Sequence, residues 1–219
     1  MVNAQEDRCN AMAIAMVIVY NDGDDNYRVM FGKRSGETAA HADLCHVIPA
    51  GMFQPELGDP KTEWDIKHNI LKEYGEELFS QELVVNAPDA KYFYTEWPGV
   101  ASLLSAINEG KCEFAVTGLV VNVLNLRPEI CCLLLVRDAA WWAQQKPTMR
   151  LNWEYAPRQA VLDTVKRAHS DFSLNSVEQE FVAVFTASAG MWVPPGLAAL
   201  WLGVDAARQA IAQTSGAGA

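Results

Sequence analysis

The stretch Lys72-Glu73-Tyr74-Gly75-Glu76-Glu77-Leu78-Phe79 sets three glutamates within one short span. In a helix, Glu73, Glu76 and Glu77 stand at i, i+3 and i+4 and share one face. Like charges at that spacing destabilise a helix by about 0.2–0.5 kcal/mol per pair. A helix that only supports a fold gains nothing from such a ridge. A hard divalent cation reverses the balance, because Mg²⁺ or Mn²⁺ prefers carboxylate oxygens and offsets the repulsion. In a chain of net charge -10 the same ridge can also be a solvated surface. The sequence just upstream favours the metal site.

Tyr27-Arg28-Val29-Met30-Phe31-Gly32-Lys33-Arg34-Ser35 reads as a strand closing on two basic residues. Leu44 to Phe53 reads as a second strand, ended by Pro49-Ala50-Gly51, where Gly51 can turn the chain sharply. A helical pattern follows, with Trp64, Ile70, Leu71, Tyr74 and Leu78 on a stripe away from the glutamates. The order is strand, basic end, loop, strand, Pro-x-Gly turn, acidic helix.

In this order the chain resembles the Nudix family of nucleoside-diphosphate-linked hydrolases. The family box is G-x5-E-x7-R-E-U-x-E-E-x-G-U, with U a bulky apolar residue. Lys72 to Glu77 matches its R-E-U-x-E-E core, with Lys for Arg and Tyr74 at U. The resemblance implies an α/β (α+β) fold, a mixed β-sheet sandwiched between helices, here with an extra C-terminal helix. It implies that Glu73, Glu76 and Glu77 ligate Mg²⁺ or Mn²⁺, with the Gly51 carbonyl a further ligand. It also implies that Arg34, with Lys33 beside it, meets a substrate phosphate.

The departures are specific. Gly51 lies 21 positions before Lys72, seven more than the family pattern. Gly58 has the family spacing but puts Trp64 where the first Glu belongs. Gly51 is preferred because it follows the strand directly, and Gln54 to Lys61 then reads as an expanded loop, which Pro55, Gly58, Asp59 and Pro60 suit. Glu56 or Glu63 then stands in for the first box Glu. Lys72 replaces an Arg that orients the neighbouring carboxylates in the family, and an ammonium cannot copy a planar fork. Phe79 takes the place of the closing Gly, and Ser80 follows it.

Composition agrees with one elaborated domain. With 219 residues, 50% hydrophobic and 20% charged, the chain can bury a large core. Residues 1–213 read as a single domain and 214–219 as a flexible tail. The acidic balance argues against a nucleic-acid partner, which needs clustered Lys and Arg. The apolar run Ala11 to Tyr20 is too short to span a bilayer and reads as the first core strand, turned by Asn21 to Asn26. Neither a signal segment nor a membrane is expected, and the location is taken as cytoplasmic. Five cysteines without a C-x-x-C pair make a poor disulfide framework, and Cys131-Cys132 suits a buried strand. His41, Cys45 and His46 lack a second ligand pair for zinc.

Further along, Val116 to Leu126 and Ile130 to Val136 read as a hairpin, and Gly99 to Glu109 and Ala139 to Gln145 as helices. Val161 to His169 reads as a helix and Phe181 to Phe185 as a late strand. Pro195 and Gly196 open a C-terminal helix through about Gln213, with Leu197, Leu200, Trp201 and Val204 on its apolar face. Trp153-Glu154-Tyr155 is an aromatic stretch beside a carboxylate, which makes Glu154 a candidate substrate contact. The aromatic-rich second half suits a dimer interface, so a homodimer is an expectation.

The function expected from the resemblance is metal-dependent cleavage of a diphosphate linkage in a phosphorylated small molecule. Glu76 or Glu77 is the candidate catalytic base, with Glu154 and Glu178 as alternatives. Two other classes stay open: a domain that binds a nucleotide-type ligand as a sensor without cleaving it, and a scaffold whose glutamates are only surface.

Overall fold

The computed structural model describes residues 11–36, 41–84, 87, 89–123, 125–154 and 189–216. The helix expected at Val161 to His169, the strand at Phe181 to Phe185, Tyr155 and Glu178 lie outside them. The described residues form a mixed α+β domain around a six-stranded sheet. Its strands are β1 (Ala13–Asn21), β2 (Tyr27–Lys33), β3 (Cys45–Val47), β4 (Ala50–Met52), β5 (Cys112–Val121) and β6 (Pro128–Val136).

β1 is apolar at nearly every position, and the whole strand is buried. A continuous apolar run of this kind belongs in a sheet covered on both faces. One edge of β1 runs parallel to β6, from Ala13↔Glu129 to Tyr20↔Val136. The other edge is shared: Ile18 to Asn21 pair antiparallel with β2, and Ala13 to Ala15 pair antiparallel with β4. β3 extends the sheet beyond β2, and β5 closes the far side against β6. The expected β1–β2 and β5–β6 hairpins are both present, the second with a bulge at Val116/Gly118.

Side chains alternate between the two faces. Ile14, Met16, Ile18 and Tyr20 join Cys132, Leu134 and Val136 in a core shared with α2 (Ile66–Phe79), α3 (Phe93–Glu96), α4 (Pro98–Asn108) and α5 (Ala139–Gln145). Ala15, Val17 and Val19 join Cys131, Leu133 and Leu135 in a second core, closed by α6 (Pro194–Gly216). The sheet is therefore sandwiched between helices. A one-turn helix, α1 (Pro60–Glu63), precedes α2.

α2 starts where Asp65 accepts the His68 N–H at 2.7 Å, a side-chain N-cap. It ends at Phe79, and Ser80 takes the left-handed conformation at φ 50°. The box's closing glycine position is thus helical here, and the turn falls one residue later. α2 carries no separate polar face: Lys72, Glu73 and Glu77 are buried together with Ile70, Leu71, Tyr74 and Leu78. That corrects the expected division between an apolar stripe and a ridge of glutamates. Trp64 leaves the stripe altogether, being 56% exposed ahead of α2 and tilted against Phe53.

On α6 the buried positions are Ala199, Leu200, Val204 and Ala207, while Trp201 is 52% exposed. The helix also continues through Gly216, past the end expected at Gln213. Arg137 Nη1 donates to Thr214 Oγ1 at 3.1 Å, which ties that extra turn to the sheet.

Gly75 sets how closely α2 can approach the α3–α4 corner. A Cβ there would fall 2.2 Å from Trp97 Cε3, in a ring that is itself buried. Gly75→Ala gains roughly 1 kcal/mol of helix propensity, yet the overpacked ring costs typically 1–3 kcal/mol. We expect a net loss of up to about 2 kcal/mol in urea denaturation, with the slope of the transition unchanged.

Candidate functional site

The site forms where α2 crosses β4. Glu77 Oε2 accepts the Ala50 N–H at 2.8 Å, which pins the helix to the strand. One helical turn earlier, the Glu73 carboxylate lies directly on Gly51. A Cβ at Gly51 would sit 2.1 Å from Glu73 Cδ and 2.3 Å from each of its oxygens. Gly51 belongs to β4, paired with Ile14, and its φ is not positive. The glycine is therefore required by close approach, and the sharp turn expected at that residue is absent.

Electrostatics follow from this packing. Burial raises the Glu73 carboxyl above its usual range, against the pull of Lys72. Burial, and then the Glu73 charge, pushes Glu76 up to about 7. Lys72 Nζ lies 2.6 Å from Glu56 Oε1 and 3.3 Å from Glu73 Oε1. Burial alone would lower its pKa, but Glu73, Glu56 and Glu76 outweigh burial and hold it above the ordinary lysine value.

Of the two glutamates left open for the first box position, Glu56 is the one that meets Lys72. Glu63 turns into the loop instead and accepts the N–H groups of Glu56 (2.5 Å), Leu57 (2.7 Å) and Asp59 (2.8 Å). Burial works to raise its pKa, but these three donors hold the carboxyl below the usual value.

A cavity of about 370 Å³ opens beside Gly51, Glu56, Glu73 and Glu76, and Arg34, Arg127, Glu129 and Glu154 line it further along. A second cavity, of about 420 Å³, lies across the ridge, with Glu73, Glu76, Glu77, Trp153 and Glu154 in its wall. Arg34 follows directly after β2, and its Nη2 donates to Glu154 Oε2 at 2.8 Å. Glu154 arrives through backbone hydrogen bonds. Arg150 N–H and Asn152 N–H donate to the Leu78 and Glu77 carbonyls at the end of α2, and Ser35 N–H donates to the Glu154 carbonyl at 2.7 Å.

The structure thus brings Gly51, Glu73, Glu76, Arg34 and Glu154 to one cavity, with Glu77 beneath it. Lys33 lies outside the walls of both cavities and pairs with Asp43 at 3.0 Å, which separates it from the expected phosphate contact. His46 is buried in the same region as a neutral ring, its pKa lowered to about 4 by burial. Its Nδ1 lies 2.8 Å from the Val47 carbonyl and is the protonated nitrogen. Arg127, Glu129, Asn122 and Asn125 were not singled out from the sequence. The only signal for Glu129 is a charge at the head of an apolar strand.

The donor set suits a hard cation. Glu56, Glu73, Glu76 and Glu154 line the first cavity beside Arg34, and all of these acids offer oxygen ligands. Burial raises the carboxyls of Glu73 and Glu76 and neighbouring acids add to it, and a divalent ion would offset both. Among the described residues, no three His, Cys, Asp or Glu side chains are already gathered around one point.

No protein-family model matches the chain, and no curated protein matches it. Among solved structures the chain is similar to a NUDIX hydrolase from Alicyclobacillus acidocaldarius, with 13% identity and a TM-score of 0.40. That likeness covers 74% of this chain and 85% of the other. Among the described residues, no helix is long and apolar enough to cross a membrane.

The raised Glu76 carboxyl gives a signed pH dependence. The unfolded chain releases this proton near pH 4.5, while the folded protein holds it to about 7. Between those values the folded state binds more protons, so stability falls as pH rises. In EDTA, the thermal midpoint of the wild type should fall between pH 5 and pH 7.5. Glu76→Gln should flatten that fall, and a slope identical to wild type would contradict the assignment.

Proposed function

We propose that the chain is a divalent-cation-dependent hydrolase of the Nudix type, cleaving a diphosphate linkage in a nucleoside-diphosphate-linked compound. The observation that carries this reading is the pair of crowded carboxylates, Glu73 against Gly51 and Glu76 beside it, at a cavity that also holds Arg34. Glu73, Glu76 and the Gly51 carbonyl would hold Mg²⁺ or Mn²⁺. When bound, such an ion polarises a phosphoryl oxygen and lowers the pKa of water.

The residues divide the remaining work. Arg34 presents a planar fork of donors suited to phosphate oxygens, and Glu154 fixes its direction from behind. Lys72 neutralises part of the charge on Glu73 while Glu56 keeps the ammonium in place. Glu77, engaged by the Ala50 N–H, serves to position α2 rather than to move a proton. Glu76 faces both cavities and suits the base better, through an oxygen that does not meet the ion. Glu154 is held by Arg34 and is the weaker choice.

The test is product chromatography on ADP-ribose, dinucleotides, nucleoside triphosphates and sugar-nucleotides, with Mg²⁺, Mn²⁺ or EDTA. We expect cleavage that EDTA abolishes. Glu76→Gln should lower kcat by about 10²–10⁴-fold, the range for loss of a general base. Arg34→Ala should chiefly raise KM. Folded protein that binds these compounds but cleaves none would replace the enzyme by a nucleotide-binding sensor.

A further inference from the structure

Two charged side chains in the wall of the first cavity have no part in the chemistry above. Glu129 is 5% exposed near the start of β6, and its Oε1 has no hydrogen-bond partner among the described residues. Arg127 stands two residues earlier. Its buried Nε also lacks a partner, and its Nη2 lies 2.8 Å from the Met52 thioether sulfur, a weak acceptor. Neither group satisfies the other. Buried polar groups in native proteins are nearly always hydrogen-bonded, and an exception calls for a cause.

A ligand supplies that cause if it presents an acceptor to Arg127 and a donor to Glu129. Both residues line the same cavity as Glu73, Glu76 and Arg34, together with Asn122, Asn125 and the flat amide of Gln54. The volume of about 370 Å³ falls in the range of small-molecule sites. A planar heterocycle at the Arg127 end and a diphosphate at the acidic end would share it.

The polarity of the two groups discriminates between the purines. A guanidinium offers donors only, and it pairs with the carbonyl and ring nitrogen of guanine. Adenine carries an amino donor where guanine carries that carbonyl, so donor would meet donor. We propose that Arg127 and Glu129 read the edge of an oxopurine. Arg127 donates to the ring carbonyl and Glu129 accepts from the adjoining N–H, so guanosine-diphosphate compounds are preferred over their adenosine counterparts. This rests on the hydrolase reading only for where the diphosphate lies.

Titration calorimetry of the whole chain with GDP, ADP and inorganic pyrophosphate, in Mg²⁺, tests the assignment without requiring turnover. GDP should bind at least tenfold tighter than ADP, about 1.4 kcal/mol. Glu129→Leu, which keeps roughly the side chain's size but removes the acceptor, should abolish that preference and leave pyrophosphate affinity unchanged. Arg127→Met, which removes the donors, should do the same, and melting curves of both variants check that they fold. Equal affinity for GDP and ADP in the wild type, or a preference kept in both folded variants, overturns the proposal. Cleavage without base preference would remove this inference and keep the hydrolase. A Glu129-dependent preference for GDP without cleavage of any compound would do the reverse.

Discussion

The hydrogen bond from the Ala50 N–H to Glu77 fixes how α2 crosses the sheet, and the rest of the site depends on it. With the helix pinned there, Glu73 falls on the backbone of Gly51, a turn earlier on the same face. No side chain larger than glycine's hydrogen fits at that crossing. Drawing three carboxylates this close to a sheet is unfavourable unless each is compensated. Glu77 has the Ala50 amide and Glu73 has the Lys72 ammonium. Glu76 makes no hydrogen bond or ion pair among the described residues, and its carboxyl rises to about 7. The least compensated of the three carboxyls therefore belongs to a residue that faces both cavities.

The divided edge of β1 is what leaves room for such a site. β2 takes the residues from Ile18 onward and β4 takes those from Ala13 to Ala15. Arg34 follows β2 directly, and its N–H donates to the Leu44 carbonyl next to the Lys33↔Cys45 pair. On the other side of β1, β6 begins at Pro128 and Glu129, level with Ala13. The cavity wall therefore draws on β1, β4, α2, the end of β2, the start of β6, Glu154 and the C-terminal segment at Val193 and Pro195. Widely separated stretches of sequence meet there, which sets the charges of distant residues against one another.

What could be read beforehand follows from the range of the interactions involved. The strands of β1, β5 and β6 and the helices at 98–108 and 139–145 are written in local periodicity. The glutamate ridge is local as well, since its spacing alone puts the three residues on one face. The meeting of Arg34 with Glu154 is not local: the residues are 120 positions apart, and the loop reaches the site through main-chain bonds that any side chains would permit. Glu129 is hidden for a related reason. Its environment depends on Ala13 of the parallel neighbour and on Val193 and Pro195 of the C-terminal segment, all of which line the cavity with it. Trp64 and Trp201 show the opposite failure, for a large aromatic residue at helical spacing reads as core whether or not the helix turns it inward.

Two features around the acidic helix, the lysine at 72 and the loop before it, support each other. An ammonium buried to 3% exposure needs more than one carboxylate, and Glu73 alone lies 3.3 Å away. The second carboxylate is Glu56, delivered by the loop at 2.6 Å. That loop would have many conformations if left to itself, since it carries Pro55, Gly58 and Pro60 in quick succession. Glu63 removes that freedom by gathering three of its N–H groups, and Asn69 secures Glu63 in turn by donating to its carbonyl at 2.5 Å. An arginine at 72 would spread its charge over a planar fork, whereas lysine concentrates it at one point between two carboxylates. The loop, by delivering Glu56, thus helps a point charge to hold Glu73 against Gly51.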